Sequence, residues 1–172
     1  KVDRLEDDLV ETPAHEIFRD LGYQTLVGSD LNSERDVSDA VLSSRLDRKI
    51  RELNPDLPEN VYQTAVSKVI SLRNPTVMEN NQEFQEMLLA GVKVVHQGEK
   101  RKEPYAVKLI DFETATNNDF AAVRQLAFQK NETVKAIRTD HILFVNGLPL
   151  VILEYKSPTE KLTDAYSQIG KT

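Results

Sequence analysis

The chain has 172 residues, of which 40% are hydrophobic and 29% charged, the make-up of one well-cored soluble domain. It contains no cysteine, which excludes disulfides, thiolate zinc sites and cysteine nucleophiles and fits a reducing cytoplasm. No apolar stretch reaches the ~18 residues of a membrane span, the opening Lys1-Val2-Asp3-Arg4-Leu5-Glu6 lacks the apolar core of a signal peptide, and a net charge of -6 argues against a domain that grips nucleic acid by itself.

In chain order, Leu5, Leu9, Ile17, Phe18 and Leu21 recur at helical spacing, and Gly22 supplies a stop. Pro13 splits or restarts this helix, with Thr12 as its cap. Tyr23 to Val27 reads as a short strand. Asp36 to Leu53 reads as a helix with Val37, Val41, Leu42, Leu46, Ile50 and Leu53 on one face, ended by Asn54-Pro55-Asp56-Leu57-Pro58. A further helix spans Val61 to Leu72, and after Asn74-Pro75 another runs from Asn81 to Leu89, stopped by Gly91. The character then changes to strands: Val92 to Gln97, Tyr105 to Asp111 and an alternating run from Ala122 to Gln129. Two apolar runs follow, Ile142 to Val145 and Leu148 to Leu153, and Glu160 to Ile169 is helical. A helical first half and a sheet-rich second half closed by a helix predict one α/β or α+β domain over residues 1–172.

The two apolar runs flank Asn146-Gly147, with Asp140 outside the first and Glu154 outside the second, and Lys156 two residues beyond Glu154. Continuous apolar runs are buried on both faces, which predicts a hairpin at the centre of the sheet. Ionisable groups beside buried strands are costly unless they hold a metal or do chemistry. Glu154 and Lys156 share a face. A two-residue turn would pair Val145 with Leu148 and set Asp140 opposite Leu153, so the two acids would face opposite sides. A three-residue or bulged loop would set Asp140 opposite Glu154, at roughly 5 Å, close enough to share a cation. The expectation is therefore a longer or bulged loop, against the tight-turn signal of Asn-Gly. Two carboxylates and waters suit Mg²⁺. Lys156 would orient or deprotonate an attacking water, or steady negative charge. An acid-x-lysine pair alone is a weak signal; its place after an apolar strand, with an acid one strand earlier, strengthens it. The bland alternative is an exposed strand end carrying a surface ion pair.

Phe144-Val145-Asn146-Gly147-Leu148-Pro149-Leu150-Val151-Ile152-Leu153-Glu154-Tyr155-Lys156-Ser157-Pro158 resembles the signature of the N-terminal nuclease domain of type I restriction enzyme R subunits. Leu21-Gly22-Tyr23, Leu53-Asn54-Pro55 with Leu57-Pro58, Leu89-Ala90-Gly91-Val92, Leu109-Ile110-Asp111-Phe112, Asn118-Asp119-Phe120 and Gln125 agree in the same order. The resemblance covers nearly the whole chain. It implies a restriction-endonuclease-like PD-(D/E)xK fold, a central mixed sheet flanked by helices, and Mg²⁺-dependent endonucleolytic cleavage of double-stranded DNA in the prokaryotic cytoplasm. It further implies a longer polypeptide in which an ATP-driven translocase follows this domain, joined by methylation and specificity subunits. The chain has no Gly-x-x-x-x-Gly-Lys-Ser/Thr phosphate loop, so ATP would bind elsewhere in that polypeptide. The chain ends at Gln168-Ile169-Gly170-Lys171-Thr172 within a helical pattern, as an N-terminal fragment of a larger subunit would.

By match to the family motif, Asp140 and Glu154 are metal ligands, the Tyr155 carbonyl is a further ligand and Lys156 is catalytic. An acid on the first helix supplements the set in the family, with Glu11 the first choice and Glu6 the second. The family's auxiliary glutamine corresponds to Gln168, but its tyrosine slot falls on Thr172, a departure. Thr139 stands where members often have proline, and threonine keeps an extended backbone there. His15, His96 and His141 lack ligand spacing, and His141 reads as a packing residue. Lys100-Arg101-Lys102 reads as a solvated turn before a phosphate contact. Arg124, Gln125, Lys130, Lys135 and Arg138 are candidates to guide DNA or meet the motor. Asp111, Glu113 and Asp119 read as turn chemistry, with a supporting role at the site open to Asp119. The alternative function is a non-cleaving domain that couples DNA or the motor to the rest of a complex.

Overall fold

The computed structural model describes residues 10–72, 76–95, 104–129, 133 and 135–155. In chain order its elements are α1 (Thr12–Asp20), β1 (Gln24–Val27), α2 (Ser43–Leu53), α3 (Glu59–Ile70), α4 (Val77–Ala90), β2 (Val92–Val94), β3 (Tyr105–Val107), β4 (Phe120–Arg124), β5 (Ala127–Phe128), β6 (Ile137–Arg138), β7 (His141–Val145) and β8 (Leu148–Leu153), with 3-10 turns at Gly28–Leu31 and Ala115–Asn117. The fold is α/β, as the sequence predicts. Its contacts fall into two units, one holding residues 1–40, 120–145 and 149–172, the other 41–119 and 146–148.

The first unit is built on a sheet of order β1-β4-β7-β8. β1 runs parallel to β4, with Gln24 beside Ala121 and Val27 beside Arg124, whereas β4 and β7 are antiparallel, with Phe120 beside Val145 and Arg124 beside His141. The sheet is therefore mixed. Ala121, Ala122 and Val123 are buried in β4, and His141, Ile142 and Phe144 in β7, as strands covered on both faces require. The hairpin is not central as a whole: β7 is internal, but β8 is outermost among the described residues, and Leu150, Val151 and Ile152 are exposed. α1 buries no residue fully, and Ile17 and Leu21 are exposed. It attaches through Phe18, whose ring meets Tyr23 at 5.7 Å and His141 at 5.5 Å, while Tyr23 meets Phe120 at 5.5 Å. Such tilted and edge-on ring pairs add to their area burial.

The alternating run from Ala122 to Gln129 is two strands rather than one. Gln125 takes a φ of 54°, which stops β4 before β5. The predicted helix at Asp36 also begins later, at Ser43. Asp36 instead folds a turn, its Oδ1 accepting from the Ser38 N–H at 3.1 Å and hydroxyl at 3.2 Å. Arg35 holds the same segment by donating to the Asp39 and Ala127 carbonyls and stacking 4.8 Å above Phe128. Nothing in the spacing of apolar residues signals that arginine's role.

The second unit packs α2, α3 and α4 with the β2–β3 hairpin around Leu46, Ile50, Val61, Ala65, Val69, Met87, Val92, Val94 and Val107, all buried. α4 starts at Val77, four residues before the predicted Asn81. Thr76 and Glu79 form a reciprocal capping box there, with Thr76 Oγ1 accepting from Glu79 N and Glu79 Oε2 from Thr76 N. Asp111 folds its loop, accepting from Glu113 N, Thr114 N and Asn117 Nδ2. Asp119 pairs with Arg48 and Lys49; burial pushes its carboxyl up, but those two cations outweigh it and hold the group below its ordinary range. Both acids thus have structural partners within this unit.

The hairpin tip, Asn146–Leu148, belongs to this second unit. Asn146 and Gly147 have φ of 53° and 83° and form a two-residue turn, the type I′ form that Asn-Gly favours. This corrects the expectation of a three-residue loop. Asn146 is wholly buried and fully used: Nδ2 donates to Leu109 O and Asn118 Oδ1, and Oδ1 accepts from Asp119 N, each at 2.8 Å. Gly147 O accepts from Leu42 N at 2.9 Å at the start of α2. A Cβ at Gly147 would come within 2.6 Å of Leu42 O and 2.9 Å of Leu46 N, so only glycine fits. The Asn146-Gly147 part of the sequence signature is thus held by hydrogen bonds and close backbone packing.

Candidate active site

Asp140 lies just before β7, and Glu154 and Tyr155 just after β8. Carried without a break, a two-residue turn would set Leu153 opposite Asp140 and turn Glu154 to the other face. Both acids lie off the open end of the ladder, however, where strict alternation no longer fixes them. There Asp140 Oδ2 accepts from the Tyr155 N–H at 2.6 Å, so the side chain of the first acid is bound to the backbone of the residue that follows the second. Asp140 and Glu154 are both partly buried.

Glu11 immediately precedes α1 and is 6% exposed. A carboxylate at that depth needs donors, and Gln125 Nε2 supplies one at 3.0 Å to Oε2. The Gln125 N–H in turn donates to the Asp140 carbonyl at 2.9 Å. Burial, then the charges of Asp140 and Glu11, push the Tyr155 phenol up to about 12, so it stays neutral and both carboxylates act on it. Three expected site residues, Glu11, Asp140 and Tyr155, are thereby brought into one neighbourhood by α1, the β4–β5 corner and the end of β8.

His141 packs rather than reacts. It is wholly buried, its Nε2 lies 3.0 Å from His15 Nδ1, and its ring meets Tyr155 edge-on at 5.5 Å. Burial, then His15 and Arg124, push it down to about 4, so it is neutral at pH 7. Burial followed by Arg124 and Arg19 lowers His15 as well. The Thr139 N–H donates to Leu126 O at 3.0 Å, a bond that the family's usual proline could not make. Arg138 is exposed in β6, opposite Ala127, away from these contacts. Lys156, Gln168, Glu6 and Lys100-Arg101-Lys102 lie outside the described residues.

The available donors are oxygens: the Glu11, Asp140 and Glu154 carboxylates and the Tyr155 carbonyl. Among the described residues no three acidic or histidine side chains converge as a ready cage for a metal ion. The donor set fits Mg²⁺ in its usual protein form, one or two carboxylates with several waters retained, and does not fit zinc, which favours histidine and thiolate.

Residues 3–172 match the family described as type I restriction enzyme R protein N terminus. The chain is 34% identical over 169 residues to a putative type I restriction enzyme MjaIXP endonuclease subunit from Methanocaldococcus jannaschii, covering 94% of this chain and 16% of that protein. It is 32% identical over 166 residues to the type I restriction enzyme HindI endonuclease subunit from Haemophilus influenzae, covering 93% of this chain and 16% of that one. The chain thus spans a small part of the length of these relatives. On this match over nearly the whole chain, with which the α/β fold agrees, the chain belongs to the family of type I restriction enzyme R protein N-terminal regions.

Proposed function

We propose that this chain is the nuclease domain of a longer R subunit and that it hydrolyses phosphodiesters of double-stranded DNA with Mg²⁺. The observation that carries the reading is the bond from the Tyr155 N–H to Asp140 Oδ2, which ties the first acid to the backbone of the residue after Glu154. The reading requires the Asp140 and Glu154 carboxylates, both beyond the ends of their strands, to reach one cation there.

In this reading Asp140 and Glu154, with the Tyr155 carbonyl, hold Mg²⁺, and Glu11 completes the acidic wall. The ion, when bound, lowers the pKa of a water and offsets charge on the phosphoryl group. Lys156 orients the attacking water or steadies the charge that develops. Gln168 and Arg138 assist DNA binding. The relatives are named as endonuclease subunits of type I restriction enzymes, which supports a place in a restriction complex. Translocase domains of the same polypeptide would then use ATP to deliver DNA, and the methylation and specificity subunits would choose the site.

The test is plasmid cleavage by the reconstituted complex carrying Asp140→Ala, Glu154→Ala or Lys156→Ala, with ATPase activity read in parallel. The expected result is loss of cleavage by about 100-fold or more with ATPase retained. Undiminished cleavage refutes the assignment. Loss of ATPase instead identifies a domain that couples the motor rather than cuts.

A further inference from the structure

Gln125 touches two of the expected acids through different atoms. Its side-chain Nε2 donates to Glu11 Oε2 at 3.0 Å, and its backbone N–H donates to the Asp140 carbonyl at 2.9 Å. It does so from a φ of 54°, a left-handed conformation costly for any residue with a Cβ. The fold makes room for it: a Cβ at Gly28 would lie 2.5 Å from Gln125 O and 2.8 Å from Leu126 Cα. A glycine opposite is therefore required for the corner that Gln125 occupies. Had the corner served only to end β4, asparagine or glycine at residue 125 would adopt it at less cost. Neither glycine nor asparagine has the length by which the Gln125 side chain also reaches Glu11.

We infer that Gln125 is a positioning residue for the proposed metal site, setting the Glu11 carboxylate against the strand that carries Asp140. This rests on the reading of Asp140 and Glu11 as metal-site acids. The amide donor takes one oxygen of Glu11 and leaves its orientation fixed, while the backbone bond fixes where β7 begins. A metal site tuned in this way loses affinity when the supporting residue is removed, although that residue touches no metal.

The experiment uses the full-length R subunit without ATP, with Mg²⁺ binding followed by calorimetry and the Mg²⁺ dependence of plasmid cleavage by the reconstituted complex followed separately. Two variants remove the amide in different backbone settings. Gln125→Gly relieves the positive φ, and Gln125→Met keeps the length and the strain. Both are expected to weaken Mg²⁺ binding about tenfold or more and to raise the half-saturating Mg²⁺ for cleavage in step, with ATPase unchanged and with the thermal midpoint higher in Gln125→Gly, where the positive φ is relieved, than in Gln125→Met. Wild-type Mg²⁺ binding in both variants overturns the inference. So does a loss confined to the variant with the lower thermal midpoint, which would make Gln125 a folding residue. Asp140→Ala in the same titration separates the two levels. If it leaves Mg²⁺ binding intact, the metal-site reading itself fails; if it abolishes binding while both Gln125 variants bind normally, only the positioning role fails.

Discussion

At the scale of single residues, Asn146 and Gln125 are both non-glycine residues at positive φ, and both work with main chain and side chain together. Asn146 uses its amide to join Leu109 O, Asn118 Oδ1 and Asp119 N. Asn146→Ala leaves Leu109 O and Asp119 N short of a partner, whereas Asn118 Oδ1 keeps the Asp111 N–H. The expected cost is roughly 2–4 kcal/mol, since each unsatisfied buried group costs about 1–3 kcal/mol and the losses overlap. Urea unfolding of the variant measures it, and a change below about 1 kcal/mol would mean that water replaces the amide. The turn type was legible in the sequence, because Asn-Gly encodes positive φ at both positions. The burial of Asn146 was not, because its partners Leu109, Asn118 and Asp119 come from a distant loop. Glu11 was legible only by family register. Its environment, a near-complete burial met by Gln125, depends on a strand corner that no local pattern announces.

At the scale of elements, the sequence reads well where one face is apolar and badly where polar side chains set the boundaries. α3, β1, β7 and β8 follow from apolar spacing, as does the core of α2 at Leu46 and Ile50. The first turn of α4 does not: Val77 and Met78 are exposed, so apolar spacing finds no start there. The start is encoded instead by Thr76 and Glu79, the Thr-x-x-Glu pattern of a capping box. Thr76→Ala removes the acceptor for the Glu79 N–H and is expected to destabilise the second unit by about 1 kcal/mol. Thr76→Ser, which keeps the oxygen, is expected to cost little. Thermal unfolding of both variants checks this, and equal losses in the two would assign the effect to the lost methyl group rather than the cap. Asp36 illustrates the same limit. Its carboxylate folds a turn onto Ser38, and the helix predicted from Asp36 starts only at Ser43. β4 and β5 merge in the sequence because alternation runs through Gln125, and only the backbone there separates them. The site inherits these features, since the acids it gathers sit at element ends: before α1, before β7 and after β8.

At the scale of the whole molecule, charge constrains how the proposed chemistry is fed. The chain carries 28 acidic against 22 basic residues. Several of those cations are committed within the fold: Arg51 to Asp47 and Glu59, Arg48 and Lys49 to Glu52 and Asp119. Binding to duplex DNA is driven by release of counterions as phosphates are neutralised, and non-specific affinity at physiological salt falls at a Kd of roughly 10⁻⁴–10⁻⁶ M even for suitably basic proteins. A chain with excess negative charge, and with Arg48, Lys49 and Arg51 already paired, belongs at the weak end of that range or beyond it. The 172-residue polypeptide alone is therefore expected to retain no duplex in a gel shift at about 10 µM protein and 0.15 M salt. The longer subunit, supplying its own DNA-binding surface, is expected to bind at concentrations where this chain does not. If Mg²⁺ binds as proposed, it should strengthen what binding the isolated chain has, because it would neutralise the Asp140 and Glu154 charges that phosphate would otherwise meet; Asp140→Asn should reproduce part of that gain without the metal. Low-micromolar binding by the wild-type chain, steeply weakened by salt, would contradict this. It would locate a phosphate-binding surface within these residues and make the domain a DNA grip as well as the proposed cutter.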